Sequence, residues 1–309
     1  ALDGKPETLR AALRYALYAL LGSVFYLLGT VLLFGAYGTL DIAQLRELVR
    51  PEPVVLVAAA LMTVGLLAKT ALFPLHLWLP PAHGGAPPAA SAVLSGLVIK
   101  GSWFLVVRLW FDVLPGVVTW SSAQLLAAFG AAAILVGNVV ALRQERLKLL
   151  VAYSTVAQIG YLFLMFPLAF DATAGALAPG GAQAGGMLQA ISHALAKAAM
   201  FMAAGLLYKA PSHDRIGEMG GIGRALPLTL LTFALAGLAL MGLPPSGAFA
   251  AKKLLLDAAA DSGQWWWGLV LDVGGLLTAS YVVLVLSHAL APTAAPVRLR
   301  APVSRLGEL

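Results

Sequence analysis

Four lysines stand inside long apolar runs of this chain: Lys69, Lys100, Lys197 and Lys252. Lys100 is about 13 residues into its run, roughly 20 Å at 1.5 Å per residue. A lysine at the centre of a bilayer costs about 2.5–3.5 kcal/mol on insertion scales, so each needs a reason. The bland reasons are snorkelling and structural ion pairing. Arg108, about a turn from the end of its run, reads as snorkelling. Lys253, beside Lys252, reads as a solvated end. The four deep lysines read as a buried hydrophilic pathway. Desolvation disfavours the charged form of an amine, so a row of such groups can take, hold and pass protons. His193 and Lys197 are at i and i+4 and share a helix face. His76 lies two residues past Pro74. A lone histidine is more often a packing residue, and that use is weighed against a proton-path role for both. His83 reads as part of a short loop, and His213 and His288 carry no signal. Ser154, Thr155, Gln158 and Tyr161 lend the fifth run a polar character, suited to holding water or to gluing helices together.

Two runs carry internal prolines. Pro74 removes the N–H that would bond the Thr70 carbonyl, one turn after Lys69. Pro244 and Pro245 free the carbonyls of Leu240 and Met241, and Lys252 follows about two turns later. Unwound backbone at membrane depth is tolerated where it is buried in protein or lines a watery cavity. Two broken helices, each with a lysine near the break, match the transporter pattern of discontinuous helices at an ion site.

These residues sit in a chain of 309 residues, of which 60% are hydrophobic and 11% charged. An ordinary soluble domain has roughly 25% charged residues. With a mean hydropathy of +0.87, the chain cannot make a polar skin. A soluble domain, a disordered chain and a nucleic-acid-binding module are excluded, and an integral membrane protein is expected. Cysteine is absent, which excludes thiolate metal sites and disulfides. No metal or cofactor motif is present, and the GGxG of the segment 212–224 follows no strand.

The apolar runs predict an all-α, polytopic fold of about eight transmembrane helices, near 12–36, 54–79, 87–112, 122–142, 148–168, 184–208, 225–260 and 265–290. Pro179–Gly186 is expected to be a loop. Alternating the loops puts Lys5, Arg10, Arg14, Arg143, Arg146, Lys148, Lys209, Arg215, Arg224, Arg298, Arg300 and Arg305 on one side. The other side holds Arg46 and Arg50. The positive-inside rule then places both termini and the 209–224 loop in the cytoplasm, and explains the formal charge of +6 without a nucleic-acid partner. The chain begins at Ala1 and is polar to Thr8, as a fragment or a processed chain would be.

The runs Lys69 to Pro80 (KTALFPLHLWLP), Ala86 to Ser91 (APPAAS) and then Lys100 resemble the proton-conducting antiporter-like subunits of respiratory complex I, Mrp-type cation/proton antiporters and membrane-bound hydrogenases. Arg146 to Tyr161 (RLKLLVAYSTVAQIGY) is similar to that family's tenth helix. Ser192 to Lys197 (SHALAK) and Gly242 to Lys252 (GLPPSGAFAAK) are similar to its eleventh and twelfth. The resemblance covers most of the chain, roughly from Leu13 to Leu286. It implies two inverted five-helix repeats, each with one broken helix. Residues 1–112 would be the remaining three helices of the first repeat, 122–290 the five of the second, and 291–309 a cytoplasmic tail. It further implies Lys69 as the lysine of the broken seventh helix and Lys100 as the central lysine of the eighth. His193 and Lys197 would lie on the hydrophilic axis, and Lys252 would face the outlet half-channel. The family's fifth helix carries a glutamate that pairs with the Lys69 position. That helix, and a fourteenth, are expected in the full-length chain or a partner, and Ala248 replaces a family glycine.

The function expected is that of a proton-translocating membrane subunit of a redox-driven or cation-coupled complex. It would have no active site or cofactor of its own, and would sit with other membrane subunits in the lipid bilayer of a bacterial inner membrane. The alternative is an independent redox subunit, with His76, His193 or His288 as haem ligands or with a quinone site. Against it, these histidines form no obvious ligating pair.

Overall fold

The computed structural model describes residues 4–209 and 213–293. Arg298, Arg300 and Arg305, and all but the first residues of the 291–309 tail, lie outside them. The helices are α1 (Pro6–Tyr37), α2 (Ile42–Leu48), α3 (Pro53–Thr70), α4 (Leu79–Gly85), α5 (Pro88–Val113), α6 (Trp120–Leu142), α7 (Leu147–Phe163), α8 (Gly181–Lys209), α9 (Pro227–Met241), α10 (Gly247–Asp261) and α11 (Trp265–Leu290). Proline opens α1, α3, α5 and α9, where its missing N–H costs nothing. Thr119 and Ser122 form a reciprocal cap on α6. Seven segments among the described residues are long and apolar enough to cross a bilayer, and α9 with α10 forms an eighth crossing in two pieces. The chain is an all-α polytopic membrane protein with two broken helices. A two-residue antiparallel pair, Phe170–Asp171 with Ala176–Leu177, decorates the loop after α7.

Packing without a hydrophobic drive needs close backbone approach, which small residues permit. A Cβ on Gly22 of α1 would lie 2.6 Å from the Gly65 carbonyl of α3. A Cβ on Gly130 of α6 would lie 2.7 Å from the Gly160 carbonyl of α7. The loop expected at Pro179–Gly186 holds only for Pro179 and Gly180. Helix α8 begins at Gly181, and Cβ atoms on Gly185 and Gly186 would strike α10 and the Met165 side chain. These glycines are contact residues, not punctuation. The other correction concerns His83. It lies in α4, fully buried, and not in a loop between spans.

Connections cluster at two ends. At one, Leu147 N donates to Asp214 O and Ile216 N to Glu145 O, both at 2.8 Å, Gly221 N donates to Ala291 O, and Lys148 reaches Gly84 O. At the other, Gln264 donates to Pro167 O at 2.9 Å, and Gln124 donates to Gln264. This is the two-sided alternation expected from the loops. Helix α7 stands in the middle, buried at every residue except Leu149 and Tyr153.

Candidate functional site

The polar residues of α7 face those of α8, and the spacing explains why. Gln189, His193 and Lys197 recur every four residues on α8, and Ser154 and Gln158 do so on α7, so each set forms one stripe. Lys197 is completely buried, and its Nζ donates to the Val151 carbonyl at 3.0 Å and to Ser154 Oγ. Gln189 Nε2 donates to Gln158 Oε1 at 3.1 Å. His193 lies between them, with both ring nitrogens buried and without a hydrogen-bond partner among the described residues.

Lys100 joins this stripe from α5. Its helix is widened over Leu94–Val98 to a π-helical turn, a feature that often marks functional sites. Lys100 Nζ donates to the Ser95 carbonyl, and Ser95 Oγ lies 3.2 Å from Thr155 Oγ1 of α7. Thr155 is the chain neighbour of Ser154, which Lys197 contacts, so the two lysines meet α7 at adjacent residues. His83 stacks on Phe201 with centroids 4.5 Å apart. Sequence reading missed it because its span looked finished at Leu79; the break displaces the remainder of that span beyond the apolar run.

The second break lies beside the stripe. Helix α9 ends at Met241, where Gly242 takes a left-handed φ of 73°, the conformation glycine adopts at little cost. Unwinding thus starts before Pro244 and Pro245, the residues to which the sequence assigned it. The freed Leu240 carbonyl, which stays buried, accepts from Gln158 Nε2 at 3.0 Å, which ties the break to the stripe. Gln158→Leu would leave that carbonyl and Gln189 unpartnered, a cost of about 1–3 kcal/mol. Thermal unfolding in detergent should show the loss; an unchanged transition would mean that other donors serve Leu240. Lys252 of α10 is ion-paired with Asp272 of α11 at 3.0 Å.

Lys69 stands apart from this group. It lies half-buried in the last turn of α3, and its Nζ donates to Ser23 Oγ of α1 at 3.0 Å. It opens on a cavity of about 560 Å³ that also touches Tyr26, Trp78, Val98 and Ser102. Here the helix ends with Ala71 at φ 59°, and Trp78 Nε1 caps the Ala68 carbonyl at 2.9 Å. Pro74 follows, and His76 stacks on Phe73 at 5.3 Å. Arg108, read as snorkelling, is held by Asp112 at 2.7 Å. His288 Nδ1 lies 2.8 Å from the Leu284 carbonyl of its own helix.

The family model described as NADH:quinone oxidoreductase/Mrp antiporter, TM, matches residues 2–278. The chain belongs to that family. NADH-quinone oxidoreductase subunit N of Desulforudis audaxviator is 35% identical over 292 residues, which cover 93% of this chain and 56% of that protein. F(420)H(2) dehydrogenase subunit N of Methanosarcina mazei is 28% identical, with 91% and 58% covered. Among solved structures, a chain of the membrane-bound sulfane sulfur reductase, an archaeal respiratory membrane complex, superposes with a TM-score of 0.84 at 29% identity. That match covers 97% of this chain and 60% of the other. A chain of the Mrp complex from Dietzia sp. gives 0.83 at 28%, covering 94% and 53%. The chain spans about half the length of the curated relatives it matches. Membership in this family agrees with the resemblance carried by the lysine and proline motifs.

Three polar residues of the site were invisible or misread in the sequence. Asp272 is a lone acid in an apolar run and carried no spacing signal. Gln189 has the i, i+4 register with His193 and could have been found from it. Lys148, assigned to a loop, is buried and caps the end of α4 through the Gly84 and Ala86 carbonyls, a favoured place for a cation.

Proposed function

We propose that this chain is the proton-conducting part of a membrane subunit in a redox-driven or cation-coupled complex. Protons pass along Lys69, Lys100, His193, Lys197 and Lys252, and the helix breaks at Pro74 and at Pro244 and Pro245 let polar groups meet the path. The observation that carries this reading is the buried stripe from Lys100 through Lys197, His193, Gln189 and Gln158 to the broken helix at Leu240. Ordinary packing does not require two buried lysines and an unpartnered imidazole in one line. Residues 1–112 form the remaining part of a first repeat and 122–290 a second. The pairing of one unwound span with each supports that division. The family glutamate that pairs with the Lys69 position would enter the cavity beside Ser23 from an upstream helix. The partners are other membrane subunits, and the setting is a bacterial inner membrane with both termini cytoplasmic.

The test is proton uptake by proteoliposomes holding the complete complex, driven by its own substrate or cation gradient. Uptake should fall in a complex assembled without this subunit; unchanged proton stoichiometry would refute the assignment. Orientation is checked by labelling intact cells with an impermeant maleimide. Ala172→Cys should be marked from outside and Gly217→Cys only after permeabilisation. The reverse pattern would invert the topology. Ser212, a natural position for such a probe, lies outside the described residues.

A further inference from the structure

Lys252 is more closely confined than a lysine at a loose helix end. Its side chain leaves α10 between two glycines. A Cβ on Gly242 would lie 3.1 Å from Lys252 Cδ, and one on Gly275 would lie 3.1 Å from Lys252 Nζ and 3.3 Å from the Met241 carbonyl. On its inner side is a cavity of about 10 Å³ lined by Tyr161, Gln189, Gly242, Leu255 and Leu271, close to the minimum that admits one water. On its outer side is Asp272, at 3.0 Å. Asp272 is the eighth residue of α11, roughly 10 Å along the helix from its start. Its side chain is 59% exposed, between Leu269 and Leu276, which are also exposed. An ionised carboxylate on an apolar outer face is costly and marks a functional path more often than a packing site. The charged groups near the pair are few. Tyr161 of α7 lines the small cavity on the inner side of Lys252, while Lys253 and Asp257 are exposed elsewhere on α10.

We propose that Asp272 is the exit carboxylate of the path and that the slot between Gly242 and Gly275 guides Lys252 to it. The Lys252 ammonium passes one proton to the Asp272 carboxylate, which gives a neutral amine and a neutral acid. Asp272 then releases that proton to outer water and returns to carboxylate. The amine is recharged by one proton from the Gln189 side, which restores the ion pair. This assignment rests on the proton-conducting reading above and adds the outlet to it.

The experiment uses the full-length subunit in its assembled complex, with proton pumping expressed per complex that retains its driving reaction. Asp272→Asn should lower pumping about tenfold, the change that a modest rise in one barrier produces. Asp272→Glu should recover most of it, with a pH profile displaced from that of the parent. Lys252→Met is run beside them. Normal pumping by Asp272→Asn with loss in Lys252→Met removes only the role of Asp272. Normal pumping by both removes the proton-conducting reading itself. Loss of assembled complex in both Asn and Glu variants would make the pair a structural clasp and overturn the proposal.

Discussion

Lys100→Met and Lys197→Met, placed separately in the full-length subunit, are expected to reduce proton translocation per assembled complex by about tenfold or more. Each tenfold corresponds to only ~1.4 kcal/mol added to the highest barrier, and both lysines lie on the buried stripe with polar contacts and no carboxylate among the described residues. Methionine keeps most of the stem's volume and removes the charge. Because a buried ammonium with partial compensation is itself costly, assembly should be unchanged or improved. The separation is the diagnostic result: a complex as abundant and as heat-stable as the parent that no longer moves protons. Arg108→Ala, which breaks an exposed pair with Asp112, should change translocation little. Normal uptake in both methionine variants, measured by fluorescence quenching in proteoliposomes, would reduce the lysine row to a structural curiosity.

Gly160→Leu is expected to be the most destabilising single substitution in the α6–α7 interface. A Cβ there would overlap the Gly130 carbonyl, with Ile134 Cγ1 at 2.8 Å and Ile134 N at 3.0 Å. The obstructing atoms are largely backbone, so no rotamer change relieves the clash and the helices must separate. Overpacking typically costs 1–3 kcal/mol, and this site should reach about 3 kcal/mol or more. Separation would also pull Ser154 and Gln158 from their partners, so proton movement should fall with stability. Gly101→Ala is the matched control. Gly101 is exposed and has nothing within 4 Å of a Cβ, and helical alanine should stabilise by about 0.5–1 kcal/mol. Thermal unfolding in detergent and the amount of subunit in the membrane measure both. A Gly160→Leu protein as stable as its parent would mean that the two helices are not packed as described.

The lysines were legible because a charge in an apolar run is conspicuous wherever the helix ends fall. The two breaks were legible for the same reason, since proline cannot donate. What escaped was set by geometry in three dimensions. Gly181–Gly186 reads as a loop by composition, yet those residues are helical, and Gly185 and Gly186 are glycines because α10 and Met165 leave no room for a Cβ. His83 was lost because the break shifts helical register, which a count of apolar residues cannot register. Asp272 has meaning only through Lys252, whose helix it meets across the bundle. The polar face of α7 was visible, but its choice between holding water and holding neighbours depends on which α8 residues lie opposite.

The burial of α7 bears on how the protein is made. A helix buried at every residue but Leu149 and Tyr153 ends its biosynthesis touching almost no lipid, yet it must first be accepted by the insertion machinery as if lipid were its destination. Its apolar residues provide that acceptance, and its serine, threonine and glutamine are a debt carried until α8 arrives. The turn joining it to α6 is short, and the glycine contacts between the two helices allow the pair to enter as one hairpin. Stalling synthesis just before Gly181 should therefore leave α7 inserted but open to degradation, with its polar stripe still seeking the helix that has not yet been translated.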